Sequence, residues 1–233
     1  AVFMLRILSM VERHNLKLEL AWFLGPTILI MWVTYLAFGS MNLVWGAYPA
    51  EDDAFNVTVT GYQWFWNMEY DDALTYEDVS TETNVVFTND LTITTSDMSA
   101  ATATITIDGA ATDYNLTELS NAMSLYVGIA FDDSQYSLVE VKDADDNVMH
   151  TWGHIPVGHQ FNTPSDDLII PCDEDVAFNL HSKAGTDSNP AYVGVQHAFW
   201  LQEWGMKEDL VPGLPQGTNM FIQPNELGTF PIR

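Results

Sequence analysis

Thiol and imidazole are the side chains best able to hold a redox metal, and this chain has few of them: one cysteine, Cys172, and six histidines that include His150, His154, His159, His181 and His197. A soft thiolate joined by two imidazoles and a thioether suits copper, so Cys172, His181, His197 and Met206 form one candidate mononuclear set. His154 follows His150 by four positions and precedes His159 by five. That spacing in turn-like sequence, with no cysteine or paired carboxylates beside it, reads as a solvent-exposed histidine cluster rather than a zinc site. His197 closes an apolar run and by itself reads as a hydrogen-bonded core residue. One cysteine also precludes an internal disulfide and leaves the redox compartment unmarked.

Other chemistry finds little support. No Ser-His-Asp set, phosphate-cradling glycine loop or HExxH pattern occurs, which argues against hydrolase and nucleotide-binding functions. Asn56-Val-Thr58 and Asn115-Leu-Thr117 match the N-glycosylation acceptor triplet. The 32 acidic residues face only 7 basic ones, for a net charge of −25, which argues against nucleic acid as a partner. With 47% hydrophobic residues, this is the composition of a folded domain with an acidic surface. Two explanations compete: adaptation to high salt, where the Debye length shrinks to a few ångströms, or an acidic docking face for a basic partner. Acid spread over the whole domain and scarce lysine favour the halophilic one.

The elements that must position these residues begin with a membrane segment. No charged residue falls between Glu19 and Glu51, and the run Leu20–Trp45 is long enough for a bilayer core, which takes about 20 residues. Trp22, Trp32, Tyr35, Trp45 and Tyr48 supply aromatics, those near the ends at interface positions, and Pro26 is expected to kink the helix. Arg6, Arg13 and Lys17 precede the span, while residues 51–233 carry 30 acidic and 4 basic groups. The positive-inside rule then places the N-terminal flank in the cytoplasm and the acidic domain on the extracellular side of the cell membrane. The chain opens on an apolar run, Ala1–Leu8, without a signal-peptide layout; this implies a fragment or processed N-terminus, and the run reads as the possible end of an earlier helix. Glu19 sits where hydrocarbon begins, a costly and often functional place for a carboxylate, although an acid in a first helical turn also suits the helix dipole.

Beyond the membrane the pattern is β. Phe55–Thr60 alternates and leads into Gly61-Tyr-Gln-Trp-Phe-Trp-Asn-Met-Glu-Tyr70, whose alternating aromatics read as core packing. Short β-rich pieces follow at Val85–Phe87, Leu91–Thr95, Thr102–Ile107, Leu125–Phe131 and Leu138–Val141, then at Asp167–Pro171, Val176–Leu180, Tyr192–Val195 and Thr218–Ile222, with a last run to Arg233. Many short strands punctuated by Asp, Asn, Gly and Ser indicate an all-β sandwich or barrel. The expected organisation is a flank over 1–18, a transmembrane helix over 19–50, first strands over 51–70, a β-rich insertion over 71–150 and the remainder of the β domain over 151–233.

Four stretches together resemble subunit II of the haem-copper respiratory oxidases. Glu19-Leu-Ala-Trp22 followed by Pro26 is similar to the Glu-x-x-Trp that opens that subunit's second helix, which implies for Glu19 the entrance of a proton pathway. Gly61–Tyr70 resembles the family's Gly-x-Gln-Trp-x-Trp-x-x-x-Tyr segment, with Tyr62 where histidine is common. The likeness implies that electrons enter at Trp64, with Trp66 and Tyr70 as supporting aromatics. Gln196-His197-Ala-Phe-Trp200, continuing to Gly213, resembles the stretch bearing the first histidine of the copper A centre, which makes His197 the implied ligand. Lys207 and Asp209 match positions near the catalytic subunit, or form a solvated turn pair. Pro224–Arg233 is similar to the strand that delivers the family's Cys-x-x-x-Cys-Gly-x-x-His-x-x-Met loop.

The resemblance implies a cupredoxin-like Greek-key domain behind a transmembrane helix. It implies electron transfer from a soluble donor, a blue-copper protein or cytochrome c, through a binuclear copper A centre to haem in the oxidase's subunit I, where oxygen is reduced. Two bridging thiolates and two imidazoles hold such a pair, and this chain has one cysteine. Truncation before the cysteine loop is the expected reason; the alternative is a non-redox structural subunit II of a quinol oxidase that lacks copper A. In the mononuclear set the cysteine precedes both histidines, contrary to cupredoxin order. Residues 71–150 exceed what the family needs and read as a lobe for the donor or another partner.

Overall fold

Alternating residues of a half-buried strand point to opposite sides, and in the computed structural model Phe55, Val57 and Val59 are buried while Asn56, Thr58 and Thr60 between them are half-exposed. The structure describes residues 15–45, 53–78, 82–163, 167–183, 194–214 and 217–233. The readings on Ala1–Leu8, Arg6, Arg13, Tyr48 and Tyr192, and on the Trp45 side chain, lie outside them. The chain is mainly β with one N-terminal apolar helix, and it divides into two units, Ala1–Tyr48 and Pro49–Arg233.

Helix α1 (Leu16–Trp45) starts three residues before the expected boundary. Asn15 explains the start: its Oδ1 accepts the Leu18 amide at 3.3 Å and its carbonyl accepts the Glu19 amide at 2.9 Å, the arrangement of an N-cap. With 30 residues the helix spans about 45 Å, and over Leu16–Met41 it is long and apolar enough to cross a membrane. Pro26 lies inside it. One residue later the Thr27 hydroxyl donates to the Phe23 carbonyl at 2.6 Å, adding a side-chain bond to the turn where proline supplies no donor.

In the second unit, β1 (Phe55–Tyr62) and β2 (Phe65–Tyr70) form a hairpin. With β12 (Gln160–Asn162), β13 (Val176–Ser182) and β16 (Thr218–Ile222) they build a five-stranded sheet in the order β12-β2-β1-β13-β16. β1 and β13 run parallel, from Phe55 opposite Val176 to Gly61 opposite Ser182. A second hairpin, β14 (His197–Leu201) and β15 (Met206–Leu210), adds Phe199, Leu201 and Leu210 to the same core as Met68, Tyr70, Phe178, Leu180 and Met220. Each fully buried side chain of this kind stabilises the fold by about 1.5–3 kcal/mol.

A second sandwich is inserted between β2 and β12. One sheet has the order β3-β11-β10-β6-β7, built from β3 (Leu74–Glu77), β6 (Ala100–Ile107), β7 (Ala110–Asn115), β10 (Ser137–Asp143) and β11 (Val148–Ile155). The other has the order β4-β5-β9-β8, from β4 (Thr83–Phe87), β5 (Leu91–Thr95), β8 (Thr117–Leu119) and β9 (Ala122–Val127). Leu91, Ile93, Ala103, Ile105, Val139, Val141 and Trp152 fill a core of its own.

The structure corrects several readings. His150, His154 and His159 are not a solvent-exposed cluster on a turn: His150 and His154 lie on β11, on the inward face they share with Trp152, and are 1% and 5% exposed. His150 Nε2 is 3.2 Å from Glu77 Oε1, and His154 meets the Thr75 hydroxyl at 2.9 Å through Nδ1 and the Asp133 carbonyl at 3.1 Å through Nε2. His159 stacks on Tyr136 with ring centres 4.7 Å apart. Lys207 and Asp209 lie on β15, exposed, rather than in a turn. The strand ending at Phe131 stops at Val127. Gly194, at φ +93°, is outside extended geometry. Leu168–Pro171 forms no strand either; Ile169 gives its backbone polar groups to a side chain, its amide donating to Tyr70 Oη at 2.9 Å and its carbonyl accepting from it at 2.8 Å.

That phenol is buried, and burial above all holds its pKa well above the ordinary tyrosine value. Folding thus favours the protonated form, a contribution present below pH 10 and lost as pH rises beyond it. Tyr70→Phe leaves the Ile169 amide and carbonyl without their partner and should cost about 1–3 kcal/mol, read as a lower melting temperature of the solubilised protein. An unchanged melting temperature would mean that water replaces the hydroxyl without loss.

Candidate functional site

The aromatic segment folds as the tip of the β1–β2 hairpin. Tyr62 faces Phe65 in register, leaving Gln63 and Trp64 as a two-residue turn, and the facing rings stack at 4.7 Å with 7° between their planes. Lys183 Nζ stands 5.5 Å from the Tyr62 ring centre, a cation–π distance. At the apex Trp64 is 95% exposed and has φ +83°, the left-handed region that favours glycine. A bulky residue held there and presented to water is strained backbone of the kind that collects at functional positions.

Behind the tip the aromatics turn inward. The Trp66 ring meets His197 edge-on at 5.6 Å and Phe199 at 5.4 Å. Its backbone is clamped by Thr163, whose hydroxyl accepts the Trp66 amide at 2.9 Å and whose own amide donates to the Trp66 carbonyl at 3.0 Å. Gly61 makes the contact possible: a Cβ there would stand 2.9 Å from the His197 ring and 2.9 Å from Trp66. Ser182 and Lys183 complete this end, the serine hydroxyl donating to the Val195 carbonyl at 2.7 Å and the lysine amide to the Gly61 carbonyl at 2.9 Å. Sequence reasoning missed Gly61, Thr163 and Lys183. Only Gly61 carried a signal, since a lone glycine inside a strand pattern marks a close approach.

The structure therefore brings Trp64, Trp66 and His197 to one end of the first sandwich and leaves other candidates elsewhere. Glu19 belongs to the first turn of α1, in the other unit. Cys172 precedes β13 and lies against the Pro224 carbonyl, 3.6 Å from its Sγ. β13 enters its pairing at Phe55 and reaches the level of Gly61 at Ser182, which puts Cys172 about 20 Å along the strand direction from the His197 end. Met206 pairs with Leu201 while His197 pairs with Leu210, at opposite ends of the β14–β15 hairpin. Cys172, His181, His197 and Met206 do not form a copper site.

Nor do the described residues fit a binuclear copper pair. His197 offers one imidazole, no thiolate is near it, and among the described residues no three His, Cys, Asp or Glu side chains are grouped to hold a metal ion. Arg233 exchanges backbone hydrogen bonds with Trp200, at 2.8 and 3.1 Å, and Ile232 pairs antiparallel with Leu201. The chain at Arg233 thus runs along β14 in the direction of His197. No protein-family model matches the sequence, and no curated protein matches it.

Replacing Trp64 by glycine tests whether the indole supports the fold. The left-handed residue costs about 1–2 kcal/mol and the added freedom of glycine returns about 0.5–1, so Trp64→Gly should raise stability slightly in thermal unfolding. A clear loss would show that Trp64 serves packing.

Proposed function

We propose that this chain is the outward-facing, electron-accepting subunit of a membrane-bound haem-copper oxidase, on which a soluble donor docks at the β1–β2 hairpin. One observation carries the reading: a fully presented indole, Trp64, held on unfavourable backbone at the apex of a hairpin whose next aromatic, Trp66, touches the ring of His197. An exposed tryptophan supplies a large, polarizable, low-entropy contact of the kind that anchors protein interfaces, and here it can meet the edge of a donor's cofactor. The two-residue turn calls for a positive φ at its second position, which glycine would adopt without strain, and an indole kept there in water suits docking. The donor class is a blue-copper protein or cytochrome c, and oxygen reduction belongs to subunit I, whose haem receives the electrons.

The chain's own residues supply a docking point, the aromatic support behind it and one imidazole. A copper A pair would need two thiolates that residues 1–233 do not contain, so the reading requires two cysteines, three residues apart, in the gene beyond Arg233. A second reading, a structural subunit of a quinol oxidase, requires their absence. Glu19, in the first turn of the membrane-length helix, is assigned the entrance of a proton path in the first reading. The acid-rich domain is assigned to the extracellular side, on the strength of Lys17 and the two arginines that precede α1.

Two measurements test this function. In stopped-flow oxidation of the donor by the intact oxidase, Trp64→Gln should slow the second-order step by about tenfold or more, the effect of removing an interface anchor, while the metal spectra stay as they are; unchanged kinetics would return Trp64 to a structural role. The net charge of −25 is assigned to a high-salt medium, so the melting temperature should climb as added salt screens repulsion. A melting temperature independent of salt would leave the acid to a docking role.

A further inference from the structure

The two Asn-x-Thr triplets each offer a carboxamide nitrogen for glycosyl transfer, and the fold treats them differently. Asn56 is inside β1, where its Nδ2 donates to the Ala54 carbonyl at 2.7 Å and to Asp72 Oδ2 at 3.1 Å. Its companion hydroxyl on Thr58 donates to Asp71 Oδ2 at 2.8 Å. A sugar on Asn56 would have to occupy the place of Asp72.

Asn115 closes β7 and Thr117 opens β8, both exposed, and Leu116 between them is buried. Since neighbouring residues of extended chain point to opposite sides, sinking Leu116 into the core turns Asn115 and Thr117 outward together. The Leu116 amide donates to the Ala101 carbonyl at 2.9 Å and fixes that arrangement. Among the described residues, neither the Asn115 carboxamide nor the Thr117 hydroxyl makes a hydrogen bond. The carboxamide and hydroxyl of the acceptor triplet are thus free, co-facial and in water.

The surroundings supply a second reason. β7 is the outermost strand of one sheet and β8 the outermost strand of the other, and Ala110–Asp113 of β7 is exposed throughout. Open strand edges are templates for pairing with other chains. A single bulky, hydrated group at the Asn115 junction, between the end of β7 and the start of β8, would screen both edges.

We propose that Asn115 is N-glycosylated and Asn56 is not. The Asn115 carboxamide nitrogen bonds to the anomeric carbon of a lipid-borne glycosyl phosphate. The bond from that carbon to the phosphate oxygen breaks, the lipid phosphate departs with the electron pair, and the nitrogen gives up one proton to a base of the transferase. This assignment rests on the outward placement of the domain under the proposed function.

The test uses the full chain from the membrane of the cells that make it, cleaved at acidic residues and analysed as intact glycopeptides by mass spectrometry. The expected result is a glycan mass on the peptide holding Asn115 and an unmodified Asn56. Asn115→Gln and Thr117→Ala should abolish the added mass and raise gel mobility, whereas Thr117→Ser should retain the glycan. Protease added to intact cells is the companion measurement. Cleavage of the domain together with an unmodified Asn115 overturns the glycan while the orientation stands; a domain shielded from protease, with Asn115 unmodified, overturns both.

Discussion

The parallel pairing of β1 with β13 is the contact on which the rest of the second unit depends. It runs from Phe55 opposite Val176 to Gly61 opposite Ser182, joining segments with the whole inserted lobe between them. Parallel strands need a crossover, and a long flexible one carries a loop-closure cost. Here the crossover is folded: the inserted strands fill their own core with Leu91, Ile93, Val139 and Val141, and Leu74 and Ile155, which pair across β3 and β11, bury into the first core. The lobe thus closes the gap as a structured unit, and β13 is delivered to the side of β1.

Everything at the candidate site follows from that register. Ser182 arrives beside Gly61, the Lys183 amide bonds the Gly61 carbonyl, and the Ser182 hydroxyl holds Val195 two residues before His197. The missing side chain at Gly61 then admits the His197 ring against the sheet with Trp66 beside it. A shift of one residue in β1 would turn its buried face outward, and it would also put a side chain where the imidazole now lies. The packing that stabilises the core and the geometry that seats His197 are consequences of one alignment.

The hairpin tip shows the opposite balance. Phe65 and Tyr62 stack and Lys183 caps the pair, so the turn is well braced, yet the residue it presents is strained and touches water. Bracing of this kind is what permits an unfavourable φ to persist. The inserted lobe joins the first sandwich beyond Tyr70, at the far end of β2 from Trp64. Its buried histidines are tied to Glu77, Thr75 and the Asp133 carbonyl, so its imidazoles serve the lobe's interior.

Some of this was readable from residue order alone, because it depends on local pattern. The uncharged run after Glu19 determines a membrane-length helix, the period-two alternation of Phe55–Thr60 determines a strand with one buried face, and the repeated short apolar pieces determine a mainly β chain. What residue order left open are the relations between distant segments: that His150 and His154 turn inward, that Leu168–Pro171 gives its polar backbone to Tyr70 instead of a strand, and that Cys172 lies at the far end of the sandwich from His197. Tertiary structure alone decided these, since a histidine or a cysteine has the same local pattern whether it faces water, a core or a metal. Its role is settled by which strand is paired beside it, and for β1 and β13 that partner lies across the whole inserted lobe.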